Sequence, residues 1–215
     1  MSYSIKEMVY TLQGEGAQSG RAAVFCRFSG CNLWNGREKD RLTAVCSFCD
    51  TDFVGIDGPG GGQFKTAEDL AIAVRACWDS HAQPSRYARP FVICTGGEPL
   101  LQVNESLVNA FHEHGLDVGV ETNGTRPAPP GLDWICVSPK AGASLFLIQG
   151  DELKVVWPQK DIDLQSLSSL SFTHFFLQPM DQGGHTPSLP ECIHLCHAFP
   201  QWRLSLQTHK FIGIP

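Results

Sequence analysis

The stretch GCNLWNGREKDRLTAVCSFCDT, residues 30–51, holds Cys31, Cys46 and Cys49. Thiolates are soft, anionic ligands, and a Cys-x2-Cys pair such as Cys46 and Cys49 puts two sulfurs within reach of one ion or cluster. On spacing alone three readings stand open: an iron–sulfur or zinc site, half of a disulfide framework, or buried thiols packed as small hydrophobes. The chain has nine cysteines, an odd number, so full disulfide pairing is impossible. Its first residues, MSYSIKEMVYTLQGEG, lack a basic start followed by an apolar run, and no window approaches the ~18 apolar residues of a membrane span. A reducing, cytoplasmic setting with no membrane partner is therefore expected, and metal binding moves ahead of disulfides.

Further polar and glycine-rich stretches follow apolar runs along the chain: TGGEP (95–99), ETNG (121–124), SPK (138–140), QPMD (178–181) and QTH (207–209). The runs before them have strand length, at 22–28, 91–94, 117–121, 134–137, 152–156, 175–178 and 203–207. Most are continuous rather than alternating, as in strands buried on both faces. Helical patterns lie between several. Thr66 and Asp69 form a capping box ahead of Leu70 and Val74; Leu107, Val108 and Phe111 make a stripe that Gly115 terminates; a third starts near Ser188 and runs to Phe199. Strands alternating with helices imply parallel pairing through right-handed crossovers, an α/β fold. With about four helices and fewer residues than the ~250 of a full eightfold barrel, the expectation is an incomplete, eroded (β/α) barrel of about six to seven mostly parallel strands. One domain spans 1–215, with GIDGPGGGQF (55–64) as a surface loop. In such folds the site is built at the C-terminal strand edge, so all of these motifs converge on one mouth.

The composition is globular, with 42% hydrophobic and 18% charged residues. A net charge of -6 without a Lys/Arg cluster excludes nucleic acid as the expected partner.

Cys31, Cys46 and Cys49, with aromatic Phe48 before the last, together with TGGEP after an apolar strand, resemble the motifs of the radical S-adenosylmethionine enzymes. In that family three thiolates hold a [4Fe-4S] cluster and leave one iron open for the cofactor's methionine. The usual spacing is Cys-x3-Cys-x2-Cys, whereas fourteen residues (32–45) separate Cys31 from Cys46 here, as in a branch with an extended cluster loop. Lengthening a loop costs only roughly 0.6 kcal/mol per doubling, so the ligands still converge. SIKEMVYTLQGEGAQSGRAAVFCRFSGCNLW followed by CSFCDT, continuing through TGGEP, ETNGT, SPK and QPMD, is similar to the deazapurine branch of that family over most of the chain.

The resemblance implies a radical ring contraction of 6-carboxy-5,6,7,8-tetrahydropterin to 7-carboxy-7-deazaguanine with loss of ammonia, feeding queuosine and other deazapurine pathways. It implies an electron donor such as flavodoxin, a homodimer, and Mg2+ at Thr51. On the cofactor side it implies Gly96, Gly97 and Glu98 at the methionine ammonium, Ser138 and Lys140 at carboxylate and ribose, Glu121 and Asn123 nearby, and Gln178, Met180 and Asp181 at the adenosine. On the substrate side it implies Leu12, Gln13, Gly14, Glu15, Arg27, Thr95, His209 and Pro215. The chemistry suits these roles: a pterin edge matches a carboxylate and an amide, and Arg27 offers a planar fork to a carboxylate.

Each position also has a plainer reading. Gly96 and Gly97 suit a simple turn, Glu121 and Asn123 a solvated loop, Thr51 a helix cap, and Arg27 an outward-facing strand position. The tail THKFIGIP has apolar Phe211, Ile212 and Ile214, which are expected to pack down, with His209 and the Pro215 carboxylate closing the pterin site or the tail merely covering core. Two other functions compete: a glycyl-radical activating enzyme of the same superfamily, and a non-catalytic zinc-binding module.

Overall fold

The computed structural model describes residues 2–215. Its first two strands are β1 (Tyr3–Leu12) and β2 (Ala22–Phe28), followed by β3 (Gly62–Phe64) and helix α1 (Ala67–Asp79). Then come β4 (Phe91–Gly96), α2 (Glu105–Glu113), β5 (Asp117–Thr122), β6 (Trp134–Val137) and β7 (Gln149–Trp157). The chain ends with α3 (Leu164–Leu167), β8 (Ser171–Pro179), α4 (Leu189–Ala198), β9 (Trp202–Leu204) and α5 (Thr208–Ile212). All nine strands join one open sheet in the order β3-β1-β2-β4-β5-β6-β7-β8-β9. Seven of them, β2 and β4 to β9, run parallel, and β1 pairs antiparallel with both β2 and β3. This is the eroded barrel, because the β5–β6 and β6–β7 connections carry no helix.

Two strands depart from the sequence expectation. SIKEMVYTL forms β1, whose polar residues alternate only over part of its length, and Gly62–Phe64 of the expected loop pairs with Tyr3, Ser4 and Ile5 as β3. A three-residue glycine-containing strand has almost no signal of its own; it exists because β1 offers it an unpaired edge.

Local chemistry sets the helices. Thr66 accepts from the Asp69 amide and Asp69 returns the bond, so the expected capping box opens α1. Gly115, at φ 70°, ends α2 in the left-handed region. At α4 the Ser188 side chain makes no cap bond. Its hydroxyl instead donates to the Trp157 carbonyl and accepts from the Met180 amide, tying two strand ends together. α1 and α2 bury Leu70, Val74, Leu107, Val108 and Phe111 against the outer face of β1, β2, β4 and β5, and α4 covers β8 and β9 around Leu177 and Trp202.

The inner face has a different rule. Side chains two apart share a face, and along several strands an apolar residue is followed by a polar one: Phe25 then Arg27, Ile93 then Thr95, Gly119 then Glu121, Phe176 then Gln178. Register places Phe25 beside Ile93 and Arg27 beside Thr95. The barrel floor is thus packed with Ala23, Phe91 and Ile93, and the layer above it is polar.

Candidate active site

Above that floor lies a cavity of about 470 Å³, of a size that suits small ligands. Every site residue named from the sequence borders it except Glu98. Glu98 is fully buried beneath the wall, where its carboxylate accepts from the Leu100 amide, the Thr122 hydroxyl and the Asn123 amide. Burial raises its pKa. Its oxygens are committed to bracing TGGEP against ETNG, while Gly96 and Gly97 line the cavity.

The glycines have steric reasons. A Cβ on Gly97 would lie 2.1 Å from the Gly30 carbonyl and 2.9 Å from Cβ of Cys31. A Cβ on Gly14 would lie 2.1 Å from Nδ1 of His209. Each glycine lets two segments touch at the cavity wall.

Cys31, Cys46, Phe48 and Cys49 line part of the cavity wall. All three cysteines are free thiols. The hydrogen bond between Cys46 and Cys49 raises the first and pulls the second below the ordinary thiol value, helped by the Lys140 charge, while burial raises Cys31. Lys140 is itself lowered by burial, and its ammonium donates to the Ser138 carbonyl and hydroxyl at 2.7 Å each. Among the described residues no three His, Cys, Asp or Glu side chains converge on a single ion position. A cluster, by contrast, takes each thiolate on a different iron and needs no such convergence.

The extended loop between Cys31 and Cys46 contains a 3-10 turn at Glu38–Thr43. Arg41 organises it: the guanidinium stacks 4.1 Å over Trp34 and donates to the carbonyls of Ser47 and Cys49. Trp34 in turn meets Phe53 edge-on at 5.6 Å. Asn32 accepts from the Asn123 side chain, tying the loop to ETNG.

Arg27 also faces the cavity, with its Nε held by Glu7 at 2.7 Å. Gln13 donates to Glu121 at 2.6 Å. Glu15 accepts from Gln207 at 3.0 Å and from Lys154 at 2.6 Å. Lys154 reaches Glu121 as well, at 3.5 Å. The sequence reading passed over Lys154 and Gln207; the signal for Lys154 was a charge inside the apolar run ELKVV.

The tail forms α5. The Thr208 amide and hydroxyl both donate to the Gly14 carbonyl, and Thr11 donates to a Pro215 oxygen. Lys210 bridges Asp50 of the cluster loop and Asp181, both at 2.7 Å. Asp181 at the wall therefore already has a protein partner. Contrary to expectation, Phe211 and Ile212 are 68% and 61% exposed. The polar anchors turn His209 toward the cavity and leave Phe211 and Ile212 largely exposed.

No family model matches the chain. Among curated proteins, it is 58% identical to the 7-carboxy-7-deazaguanine synthase of Bordetella pertussis, over all of both chains. It is 54% identical to that of Caulobacter vibrioides, again over all of both. The crystal structure of QueE from Escherichia coli matches with a TM-score of 0.67 at 29% identity, covering 97% of this chain and 95% of that one. With a fold, a cysteine-lined cavity and full-length identity in agreement, the chain belongs to the 7-carboxy-7-deazaguanine synthase family.

Proposed function

We infer that the chain is a radical S-adenosylmethionine enzyme that converts 6-carboxy-5,6,7,8-tetrahydropterin to 7-carboxy-7-deazaguanine, a ring contraction whose net change is the loss of ammonia. The observation that carries this reading is the meeting of three cysteines and the Gln13–Glu15–Arg27 group on the wall of one cavity. Cys31, Cys46 and Cys49 would hold a [4Fe-4S] cluster, and the donor set fits, with three free thiols and the Lys140 ammonium lining the same cavity. Bound there, the cluster and S-adenosylmethionine supply a one-electron reduction and the hydrogen-abstracting radical. The protein's own part is binding and orientation. The glycine edge at 96–97 gives the cofactor close access to backbone carbonyls, and Ser138 and Lys140 offer a hydroxyl and a cation for its carboxylate.

On the substrate side, Arg27 has its Nε committed to Glu7, so its terminal amines are the fork for the pterin's carboxylate. Glu15 and Gln13 meet the pyrimidine edge, and His209 closes the site from α5. Thr51, on the cavity wall, would offer one oxygen to Mg2+, a hard cation that would take its remaining ligands from water and the substrate carboxylate. A flavodoxin-like electron donor and a homodimer complete the reading. No helix among the described residues is long and apolar enough to cross a membrane.

Arg27→Lys keeps the charge and removes the fork. The expected outcome is a KM for the pterin raised on the order of tenfold, with S-adenosylmethionine binding unchanged; an unchanged KM would show that Arg27 serves only Glu7. The functional reading itself is tested by anaerobic reconstitution with iron and sulfide, then adding S-adenosylmethionine, a reductant and the pterin alone. Deoxyadenosine formation that requires the pterin supports it. Zinc uptake without iron would leave a zinc-binding module, and a requirement for a polypeptide would leave a glycyl-radical activator.

A further inference from the structure

Lys154 is a charged side chain only 4% exposed, in the middle of β7, where the strand is otherwise Leu153, Val155 and Val156. Burying an ammonium is costly unless it is paired. Its position explains the pairing. Glu15 arrives on the turn after β1, Glu121 on β5 and Glu152 two residues earlier on the same face of β7, while Cys136 comes from β6 beside Glu152. The remaining charged or titratable groups toward this cluster are Lys140 after β6 and His209 on α5. Burial opposes the Lys154 charge, but Cys136, Glu121, Glu15 and Glu152 together hold it well above the ordinary lysine value. Burial likewise works to raise Glu15, and the Lys154 charge and hydrogen bond outweigh it, bringing that carboxyl below its usual range.

The geometry is that of a brace. Lys154 takes Glu15 at 2.6 Å and Glu121 at 3.5 Å; Gln13 donates to Glu121 at 2.6 Å and accepts from the Glu15 amide at 3.1 Å. The four side chains close a loop across β7, β5 and the segment after β1, all on the cavity wall. Gln207 fixes the second Glu15 oxygen. Any ligand edge that meets Glu15 meets a carboxylate whose position and charge are set from behind.

We propose that Lys154 is a positioning and specificity residue: its ammonium fixes Glu15 and Glu121 as paired acceptors for a ring edge bearing adjacent N–H and NH2 donors. The inference rests on the pterin reading above, since an aminopyrimidinone edge is such a ligand. Lys154 acts through Glu15 and takes no part in bond making. A neutral Glu15 carboxyl presents a donor to that edge, so binding follows the ionised form. With Lys154 present, Glu15 stays ionised across the working range; without it, only the Gln207 hydrogen bond and the His209 charge oppose burial, and the carboxyl takes up a proton more readily as pH falls.

The test uses the reconstituted holoenzyme and the pterin, comparing wild type, Lys154→Arg, Lys154→Met and the double variant Lys154→Met/Glu121→Gln, which removes one of the two carboxylates stranded by the single change. The expected result for both Met variants is a KM raised on the order of 10- to 100-fold, rising further as pH falls from about 8 to about 6, while wild type and Lys154→Arg stay flat. Iron content should equal wild type in all four proteins, and S-adenosylmethionine affinity should equal wild type in Lys154→Arg and Lys154→Met. A purely structural role would instead lower iron content and S-adenosylmethionine affinity together with thermal stability, and that outcome overturns the proposal. So does a pH-independent KM in a folded Met variant, or failure of both Met variants to fold. A wild-type protein that loads iron but ignores the pterin overturns the functional reading and this inference with it; normal wild-type turnover with a silent Lys154 overturns the inference alone.

Discussion

Replacing Cys31, Cys46 or Cys49 by alanine abolishes turnover and cluster loading, while Cys77→Ala and Cys192→Ala leave iron content at the wild-type level. The loss should exceed the roughly 100-fold that removal of an outer-shell partner costs, because a ligand itself is gone. The contrast follows from position. Cys31, Cys46 and Cys49 stand on the cavity wall, and Cys49 is already acidified. Cys77 lies on α1 against the outer core, and Cys192 is buried in α4. Neither of these two lines the cavity, so neither thiol reaches a cluster held by the other three. Iron counting and the visible spectrum after anaerobic reconstitution check this. Iron loss from Cys192→Ala equal to that from Cys46→Ala contradicts the ligand assignment.

Gly97→Ala is the second large effect expected. The new methyl group would sit 2.1 Å from the Gly30 carbonyl oxygen and 2.5 Å from its carbon, both backbone atoms that cannot swing aside. The Glu98 amide also donates to that Gly30 carbonyl at 2.9 Å, so the collision breaks the contact that joins TGGEP to the start of the cluster loop. Overpacking of this kind costs about 1–3 kcal/mol. Here the displaced residue is Cys31, and iron content and cofactor affinity should fall at least about tenfold, together with a lowered Tm. Full iron content with normal S-adenosylmethionine binding in Gly97→Ala would show that the close approach has no role in the site.

The legibility of these elements in the sequence differs for physical reasons. Continuous apolar runs such as AAVFCRF and FVIC identify their own strands because both faces are covered, and the polar motifs that follow them fall on one edge by the topology of parallel sheets. β3 was not legible, since its pairing depends on an edge supplied by β1, far away in sequence. Nor was the face of Arg27: alternation gives two faces, and only the register of β2 on β4 says that Arg27 stands with Thr95 over the cavity. Glu98 was read as a ligand contact because TGGEP carries chemistry as a unit, yet its side chain turns inward to three donors. Lys154 was hidden for the opposite reason. A lysine within ELKVV looks like a strand residue until Glu15 and Glu121, over a hundred residues and thirty residues away in sequence, are seen to meet it. The exposed Phe211 and Ile212 show that apolarity alone does not dock a tail when its polar residues supply the anchors.

The most direct measurement is product analysis of the anaerobically reconstituted protein given S-adenosylmethionine, Mg2+, a reductant and 6-carboxy-5,6,7,8-tetrahydropterin, quantifying 7-carboxy-7-deazaguanine by mass and ammonia by assay. The account predicts both, in equal amounts and dependent on intact Cys31, Cys46 and Cys49. Iron-loaded protein that forms deoxyadenosine but releases neither the deazaguanine nor ammonia from the pterin would contradict it.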